Sequence, residues 1–446
     1  MMSALSDVEP VWPDPLPIPD EPLRVAMIGA GKRARWTYLP VLAKLSPWVD
    51  LVAVCDPARD AADDYAARIG GRAYYDLAAL VADRPMEACV VVTPATMQYA
   101  VNMYLIEHGV HAHTETPWGN LVCQARGMVE AARAQGVVIR VGENFFRTPI
   151  DRFAQTVRDS GYLGRIGRII SYADHTGYHN NSRWIRFAGC HPDWLQCLDH
   201  GMDVTPMLRN GNRVAREDFG ARFFHFPNDF LVNDITSGLG KGLLGRHARP
   251  GYTEWHGECG TLMYRATSPA WADSEAELRR VTPEAPKQEA GADAPMDSLP
   301  SGEVVDVSPL SIGLQGLEWS RVTAATSAGR IEYVNRFAEY LADVPRHEPI
   351  IGQSRKERTA IADHVVDFAA AVKGLRNSEF SPEDGLMSQM MTVGARESAL
   401  QDGKRIALPI EGDLEVDAII RGQLRETLGA DPMDVEAMLA LSQVNR

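Results

Sequence analysis

One stretch in the middle of the chain concentrates side chains that can transfer protons and bind hydroxyl groups. Residues 174–184 read Asp-His-Thr-Gly-Tyr-His-Asn-Asn-Ser-Arg-Trp, after a predicted strand at Arg168–Tyr172. Histidine and tyrosine can exchange protons, and amide, hydroxyl and guanidinium groups can bond to hydroxyls. We interpret the stretch as a polar loop that contacts substrate, with His179 and Tyr178 as the leading proton-transfer candidates. The other predicted substrate contacts, here and downstream, are His175, Arg183, Trp184, Trp194 and His200.

Two carboxylates follow at a spacing of four residues, Asp199 and Asp203. On a helix this spacing puts both on one face, where two like charges raise each other's pKa. A raised pKa makes a carboxylate a better base for a hydroxyl proton. We predict that at least one of the two takes part in proton transfer. The alternative is that Asp199 caps a helix and Asp203 bonds within its first turn.

A glycine-rich turn near the N-terminus is typical of a dinucleotide-binding unit. The apolar run Arg24–Ile28 ends in Gly29-x-Gly31-x-x-Ala34, and a helical pattern follows at once. The first glycine allows a tight turn, the second lets the backbone approach a pyrophosphate, and the alanine lets the helix pack close to the sheet. The N–H groups at the start of that helix would face the phosphates.

The next predicted strand supports the same interpretation. Leu51–Cys55 is an apolar run that stops at Asp56, about 25 residues after the second glycine. An acid there accepts hydrogen bonds from the adenosine ribose and repels a 2′-phosphate, which favours NAD over NADP. Arg33 and Arg59 lie nearby in sequence and could weaken that preference.

Strands and helices then alternate to about Arg147, which predicts a parallel sheet with helices on both faces. Polar residues follow three of these strands, at Thr93-Pro94, Glu115-Thr116-Pro117 and Glu143-Asn144. Ligands bind beyond the carboxyl ends of such strands, so a nicotinamide and its substrate should meet here. The predicted cofactor-binding residues are Gly29, Gly31, Lys32, Arg33, Ala34, Asp56, Thr93, Pro94, Gln98, Glu115 and Asn144.

The chain divides into four predicted segments. Residues 1–22 form a Pro-rich arm, 23–147 a doubly wound α/β Rossmann domain, 148–410 an α+β domain, and 411–446 a helical tail. We expect the α+β domain to contain a large, mostly antiparallel open sheet. Within it, residues 268–308 are rich in Pro, Ala, Glu and Asp without periodicity, which indicates a surface insertion.

The composition of the chain argues against several classes of function. A formal net charge of −14 argues against nucleic-acid and anionic-membrane binding, which reward clustered Lys and Arg. No apolar run reaches the roughly 18 residues that would span a bilayer. The N-terminus shows no signal-peptide pattern, so we expect a cytoplasmic protein. Six scattered cysteines indicate neither disulfides nor a zinc site. His108, His111 and His113 should not converge, so no metal site is predicted.

These features together resemble the Gfo/Idh/MocA family, named for glucose-fructose oxidoreductase and inositol dehydrogenase. The resemblance implies a nicotinamide-binding domain followed by an open-sheet domain that holds a sugar or polyol and often makes dimer or tetramer contacts. In some members a Pro-rich arm wraps a neighbouring subunit; the alternative for residues 1–22 is disorder. The motifs that carry the resemblance, besides those above, are Val90–Pro94, Gly109–Pro117, Leu163–Gly167, Ser381–Leu386 and Ser398–Pro409.

The chain departs from the family pattern at three positions. The usual Glu-Lys-Pro is Glu115-Thr116-Pro117, so the resemblance places Glu115 and Thr116 at the reacting centre without the lysine charge. The family's Asp-x-Gly-x-His, at the head of a helix, is matched by Asp199-x-Gly201-x-Asp203, which lacks the histidine. Gln98 stands where a histidine often follows the third-strand Thr-Pro.

The sequence thus predicts an NAD-dependent oxidoreductase that acts on a carbohydrate, polyol or glycoside by hydride transfer. Two alternatives stay open because of the departures. One is an NAD-assisted lyase or glycosidase that oxidises its substrate transiently. The other is a nucleotide-binding sensor or partner subunit that has lost its chemistry. A homo-oligomer, dimer or tetramer, is expected in each case.

Overall fold

The computed structural model describes residues 15–173, 177–209, 212–237, 252–266, 274–281, 302–312, 318–344 and 357–444. Within residues 15–173 lies a parallel sheet in the order β3-β2-β1-β4-β5-β6, the doubly wound arrangement that the alternating pattern predicted. Its strands are β1 (Leu23–Ile28), β2 (Val49–Cys55), β3 (Arg72–Tyr74), β4 (Ala88–Val91), β5 (His111–Thr114) and β6 (Ile139–Val141).

Helices cover both faces of this sheet. A π-helical turn at Ala34–Tyr38 follows the glycine-rich turn, and the crossover helices are α1 (Leu39–Leu42), α2 (Arg59–Ile69), α3 (Leu77–Asp83), α4 (Ala95–Glu107) and α5 (Val122–Gln135). The central strands β1, β4 and β5 are largely buried, β4 completely so, because helices pack on either side of them.

A second sheet follows a short 3₁₀ turn at Phe145–Arg147. In the described residues it has the strand order β14-β13-β12-β11-β7-β10-β9-β8-β18 and is antiparallel except for the β7–β10 pair. Its strands are β7 (Ile166–Ala173), β8 (Trp194–Arg209), β9 (Asn212–Phe226), β10 (Phe230–Ser237), β11 (Tyr252–Gly257), β12 (Gly260–Ala266), β13 (Ser274–Val281), β14 (Gly302–Asp306) and β18 (Ile406–Ala407). The large, mostly antiparallel sheet is thereby confirmed, and β11 and β12 form a hairpin within it.

A smaller sheet and seven more helices complete the described chain. The sheet pairs β15 (Ser308–Ile312), β16 (Glu318–Thr326) and β17 (Gly329–Val334). The helices are α6 (Pro149–Asp159), α7 (Tyr178–Ala188), α8 (Ala338–Leu341), α9 (Glu357–Val372), α10 (Pro382–Leu400), α11 (Glu415–Leu428) and α12 (Val435–Val444). No helix in the described ranges is long and apolar enough to cross a membrane.

The domain boundaries drawn from sequence are wrong in one respect. Helix α9 was assigned to the second domain, but Ile361, Val365 and Phe368 pack in one cluster with Val25 and Val90 of the Rossmann sheet. A helix from late in the chain therefore closes one face of the first domain.

Two further sequence assignments need correction. The surface insertion at 268–308 is wrong in its described parts, since β13 and β14 extend the large sheet by regular antiparallel pairing. The arm lies outside the described residues up to position 14, but its last part packs on the chain's own first domain. Leu16 is buried, and the Trp48 indole donates to the Pro17 carbonyl at 2.8 Å.

Candidate active site

The glycine-rich turn has the shape that a pyrophosphate requires. Gly29 has φ +98°, and a Cβ there would lie 2.5 Å from the carbonyl oxygen of Val92. Only glycine fits this crossing of β1 and β4. Gly31 is exposed, and a Cβ there would meet nothing within 4 Å. The space over Gly31 is thus open, and the backbone can approach a bound dinucleotide.

Asp56, at the end of β2, ties this turn to the neighbouring strand. One carboxylate oxygen accepts the N–H of Ala30 at 2.6 Å and the other accepts the N–H of Ala58 at 2.8 Å. A carboxylate has about four acceptor positions, so both oxygens can still accept ribose hydroxyls. The geometry fits an NAD-binding acid, with the carboxylate held in place beforehand.

The side chain of Glu115, which follows β5, is held in place by two residues that follow the glycine-rich turn. Its carboxylate accepts from Arg33 Nε at 2.6 Å and from the Tyr38 hydroxyl. Arg33 is therefore committed to an ion pair and does not reach freely toward a phosphate. Thr116, next to Glu115, is half-buried.

The side chain of Gln98 has a different role from the one predicted. It is 1% exposed, donates to the Glu115 carbonyl at 2.7 Å and accepts from the Gly119 N–H at 3.2 Å. Both ends of the amide hold the backbone of the 115–119 loop, so the prediction of a direct cofactor contact is wrong. Of the remaining cofactor candidates, Lys32 and Pro94 are exposed, Thr93 is half-buried and Asn144 is buried.

Helix α7 brings a histidine against the end of β6. His179 Nδ1 lies 3.3 Å from Oε2 of Glu143, and Ser182 Oγ lies 3.3 Å from the same oxygen. The imidazole stacks on Phe145 at 4.6 Å between ring centroids, with 15° between the planes. Burial raises the pKa of Glu143 well above its usual value, and the nearby Glu115 charge adds to this. Sequence reasoning noted Glu143 only as a strand end and missed this contact.

A cleft of about 640 Å³ opens between the two domains beside this pair. The 117–120 loop of the Rossmann domain forms one wall of the cleft. The start of α7 and the second half of α10 form another wall, and β8 and β9 form the third. The cleft brings together three of the predicted residues, Tyr178, Asp199 and His200. Sequence reasoning missed Arg222 and Arg396, which also line it, because no motif signals their approach.

Asp199 and Asp203 do not form the predicted helical pair. They lie on β8, where four residues span about 13 Å, so the two carboxylates are not neighbours on one helical turn. Asp203 is 91% exposed at its side chain and pairs with Arg216 at 3.6 Å. The predicted helix does not form at residues 199–203, whereas helix α7 carries Gly177-x-His179 at its start. The interpretation of Asp203 as the replaced histidine is wrong.

The rest of the 174–184 stretch is not a surface loop either. Residues 174–176, including His175, lie outside the described residues. Arg183 and Trp184 are buried: Arg183 donates to Asp151 at 2.8 Å, and the Trp184 indole lies 3.4 Å from Asp234. They support the cleft floor, so their prediction as substrate contacts is wrong.

Trp194 also does not line the cleft. It begins β8, stacks on His225 at 5.1 Å and carries the Arg405 guanidinium 4.0 Å from its ring centroid. These contacts lie at the edge of the large sheet, and the substrate contact at Trp194 stays a prediction.

Parts of this chain are similar to known proteins. Residues 23–143 match the model of an oxidoreductase family with an NAD-binding Rossmann fold, Gfo/Idh/MocA. The D-glucoside 3-dehydrogenase of Escherichia coli K12 is 30% identical over 175 residues, which are 39% of this chain and 46% of that protein. The chain thus spans about half the length of this curated relative.

Two solved structures show the same fold. A levoglucosan dehydrogenase in complex with NADH and levoglucosan has a TM-score of 0.61 at 16% identity, covering 87% of this chain and all of its own. The WlbA dehydrogenase of Bordetella pertussis, with NADH and UDP-GlcNAcA, has a TM-score of 0.60 at 15% identity, covering 89% of this chain and all of its own. Across residues 23–143 the chain therefore matches the NAD-binding Rossmann domain of the Gfo/Idh/MocA oxidoreductase family.

Proposed function

We propose that this protein is an NAD-dependent dehydrogenase that interconverts a hydroxyl and a carbonyl group on a carbohydrate, polyol or glycoside. The observation that carries the proposal is the cleft at the carboxyl edge of the Rossmann sheet, with hydroxyl-binding side chains on its opposite wall. The proposal is supported by the sugar substrates that two relatives carry in their names, a D-glucoside and levoglucosan. The match of residues 23–143 to an oxidoreductase family favours dehydrogenation over the elimination and sensor alternatives.

The bound nicotinamide would supply the hydride acceptor or donor, and the chain's own residues would manage the proton and the substrate. We assign the hydroxyl proton to His179, which stands in the first turn of α7 next to the cleft residue Tyr178. Asp199 and His200 would bind substrate hydroxyls from β8. Glu115 would keep the nicotinamide end of the site in shape through its bonds to the cofactor turn.

A pair of aspartate substitutions tests the site assignment. Asp199→Asn removes a charged acceptor from the cleft wall, so kcat/KM should fall about 10- to 100-fold, the value of a hydrogen bond to a charged group. Asp203→Asn is the matched control, because its carboxylate is exposed and outside the cleft. It should stay within about twofold of the parent protein.

The assay follows reduced-nicotinamide absorbance with NAD and with NADP, across a panel of glucosides, free sugars, polyols and anhydrosugars. We expect turnover with at least one of these and a preference for NAD through Asp56. Binding of NADH without turnover on any of them would contradict the dehydrogenase and leave the sensor alternative. Equal loss in the two aspartate variants would contradict the placement of the substrate.

The proposal includes a homo-oligomer, dimer or tetramer. Leu198 and Met202 of β8 are 55% and 47% exposed on the large sheet. Exposing apolar side chains to water is unfavourable, and a partner subunit that covered them would remove this free-energy cost. Light scattering after size-exclusion chromatography would report the mass against the 49.1 kDa of one chain. A monomer at micromolar concentration would contradict this part of the proposal.

A further inference from the structure

We propose that Glu143 is a positioning residue for His179 and shares one proton with it, so that the two side chains work as a single proton-holding pair beside the cleft. This inference rests on the proposed function, which assigns the substrate proton to His179. Glu143 comes from the Rossmann domain and His179 from the second domain, so the pair joins the two halves of the site.

The carboxyl group of Glu143 contacts a histidine that can gain or lose a proton. It does not form an ion pair with a permanently charged side chain. Its carboxyl is 3% exposed, and in the described residues the His179 ring is the one basic side chain within ion-pair distance. A carboxylate is costly to bury without a strong cation. The buried arginines nearby are paired elsewhere: Arg147 with Asp363 and Asp367, and Arg183 with Asp151.

The ring of His179 is held so that Nδ1 faces the carboxyl. Phe145 stacks on one face of the imidazole, and the Tyr178 ring lies 4.3 Å away at a tilt of 44°. Ser182, one turn along α7, approaches the same Glu143 oxygen at 3.3 Å and also donates to the His179 carbonyl at 2.9 Å. A histidine whose Nδ1 is committed to a carboxyl has its tautomer fixed and exchanges protons through Nε2.

Glu143 also borders the route to the substrate. It lines a small cavity of about 10 Å³ that shares Pro117, Tyr178 and Gln389 with the cleft. That volume is close to the space of one water molecule. The carboxyl therefore reaches both the histidine and the edge of the substrate space, although it is buried.

The proton balance of the step is simple. When the substrate hydroxyl is oxidised, its proton moves to the imidazole, and the Glu143–His179 pair then carries one more proton than before. The reverse reaction returns this proton to the carbonyl oxygen as it is reduced. Among the described residues, the other charge acting on Glu143 is Glu115, after β5, which opposes ionisation. Helix α10 faces the small cavity with Ser388 and Gln389, which do not titrate.

The decisive measurement is the titration of His179 in the protein without cofactor, by NMR of histidines labelled with ¹³C at Cε1. His179→Gln identifies the resonance by its loss. Glu143→Gln removes the partner that stabilises the protonated ring, so the pKa of His179 should fall by about one unit or more. Glu397→Gln is the matched control, because Glu397 is equally buried but bonds Val416 and Gln401 away from the cleft. It should leave the His179 titration unchanged.

Activity gives the second readout. In Glu143→Gln the acidic limb of kcat/KM against pH should move by the same amount as the His179 titration, whereas Glu143→Asp should restore most of the parent profile. An unchanged His179 titration in a folded Glu143→Gln protein would overturn the pair, and so would a shifted titration with an unmoved pH profile. Should Glu143→Gln fail to fold, the Glu143→Asp titration decides in its place. Failure of the proposed function would appear separately, as absence of turnover in the parent protein.

Discussion

Single residues in this chain show how strongly local geometry decides a role. Asp199 and Asp203 have the same side chain, lie on the same strand and are both exposed, yet Asp199 lines the cleft whereas Asp203 pairs with Arg216. The sequence predicted that Gln98 contacts the cofactor, but its side-chain amide forms hydrogen bonds with two backbone groups instead. His179 gains its place from the first turn of α7, which sets it against Glu143.

The two glycines of the cofactor turn should respond differently to alanine. Gly29→Ala meets the Val92 carbonyl at 2.5 Å and carries a positive φ, so we expect a loss of about 1–3 kcal/mol in the free energy of unfolding. Gly31→Ala has open space and should fold normally, but its methyl group would stand where a pyrophosphate approaches. We expect NADH to bind at least about tenfold more weakly, or about 1.4 kcal/mol.

Urea unfolding and calorimetric titration with NADH measure the two effects. Normal NADH affinity in a stable Gly31→Ala protein would contradict the placement of the pyrophosphate. Normal stability of Gly29→Ala would contradict the tight crossing of β1 and β4.

At the scale of elements, a buried charge cluster links the exit of the Rossmann domain to helices from late in the chain. Arg147 and Arg152, from the 3₁₀ turn and α6, bond Asp363 and Asp367 of α9 and Glu379 before α10 at 2.5–3.2 Å. The Arg152 guanidinium keeps the pKa of Glu379 far below its usual value. The cluster holds α9 against the first domain at the level of the active site.

Removing one arginine should therefore be costly. Arg152→Met leaves Asp363 and Glu379 buried with too little positive charge, and we expect a loss of about 3–5 kcal/mol in the free energy of unfolding. Arg133→Met is the control, because the Arg133–Glu383 pair is exposed and should contribute less than about 1 kcal/mol. Chemical denaturation of both variants makes the comparison, and equal losses would contradict the importance of the cluster.

At the scale of the whole molecule, two buried histidines lie at the contact between the Rossmann sheet and α9. His113 of β5 and His364 of α9 stack with ring centroids 4.6 Å apart. Burial lowers the pKa of His113 to about 3 and that of His364 well below its usual value. Both rings are therefore neutral in the folded protein at neutral pH.

This pair should make the protein sensitive to acid. Unfolded histidine binds a proton below about pH 6.5, whereas folded His113 does not bind one until the pH falls to about 3, and the pKa of folded His364 also lies well below the ordinary value. The unfolded state therefore binds more protons between these values, and stability falls as the pH falls through this window. His364→Phe keeps a ring in the stack but removes one titrating group.

We expect the slope of unfolding free energy against pH, between pH 6 and 5, to be smaller in His364→Phe by up to about 1.4 kcal/mol per pH unit. Using the difference between the two proteins cancels other groups, including Glu143, whose raised pKa acts in the opposite direction. Parallel slopes would contradict the neutral state of His364.

The sequence by itself determined the cofactor half of this protein. The Gly29–Gly31 turn and Asp56 act through backbone conformation and short-range order along one βαβ unit, so their spacing alone fixes where they lie. The strand-end position of Glu115 followed from the same alternation. The large, mostly antiparallel second sheet was also predicted from the sequence.

The tertiary structure decided the substrate half. Whether residues 199–203 form a helix or a strand depends on pairing with β9, a contact that no local pattern encodes. Burial of Arg183 and Trp184 follows from the way α7 packs under the cleft. The Glu143–His179 contact joins residues 36 positions apart in different domains, and α9 returns to the first domain from beyond residue 350. Such contacts arise only when separate elements pack together, because burial and partner distance are properties of the packed fold.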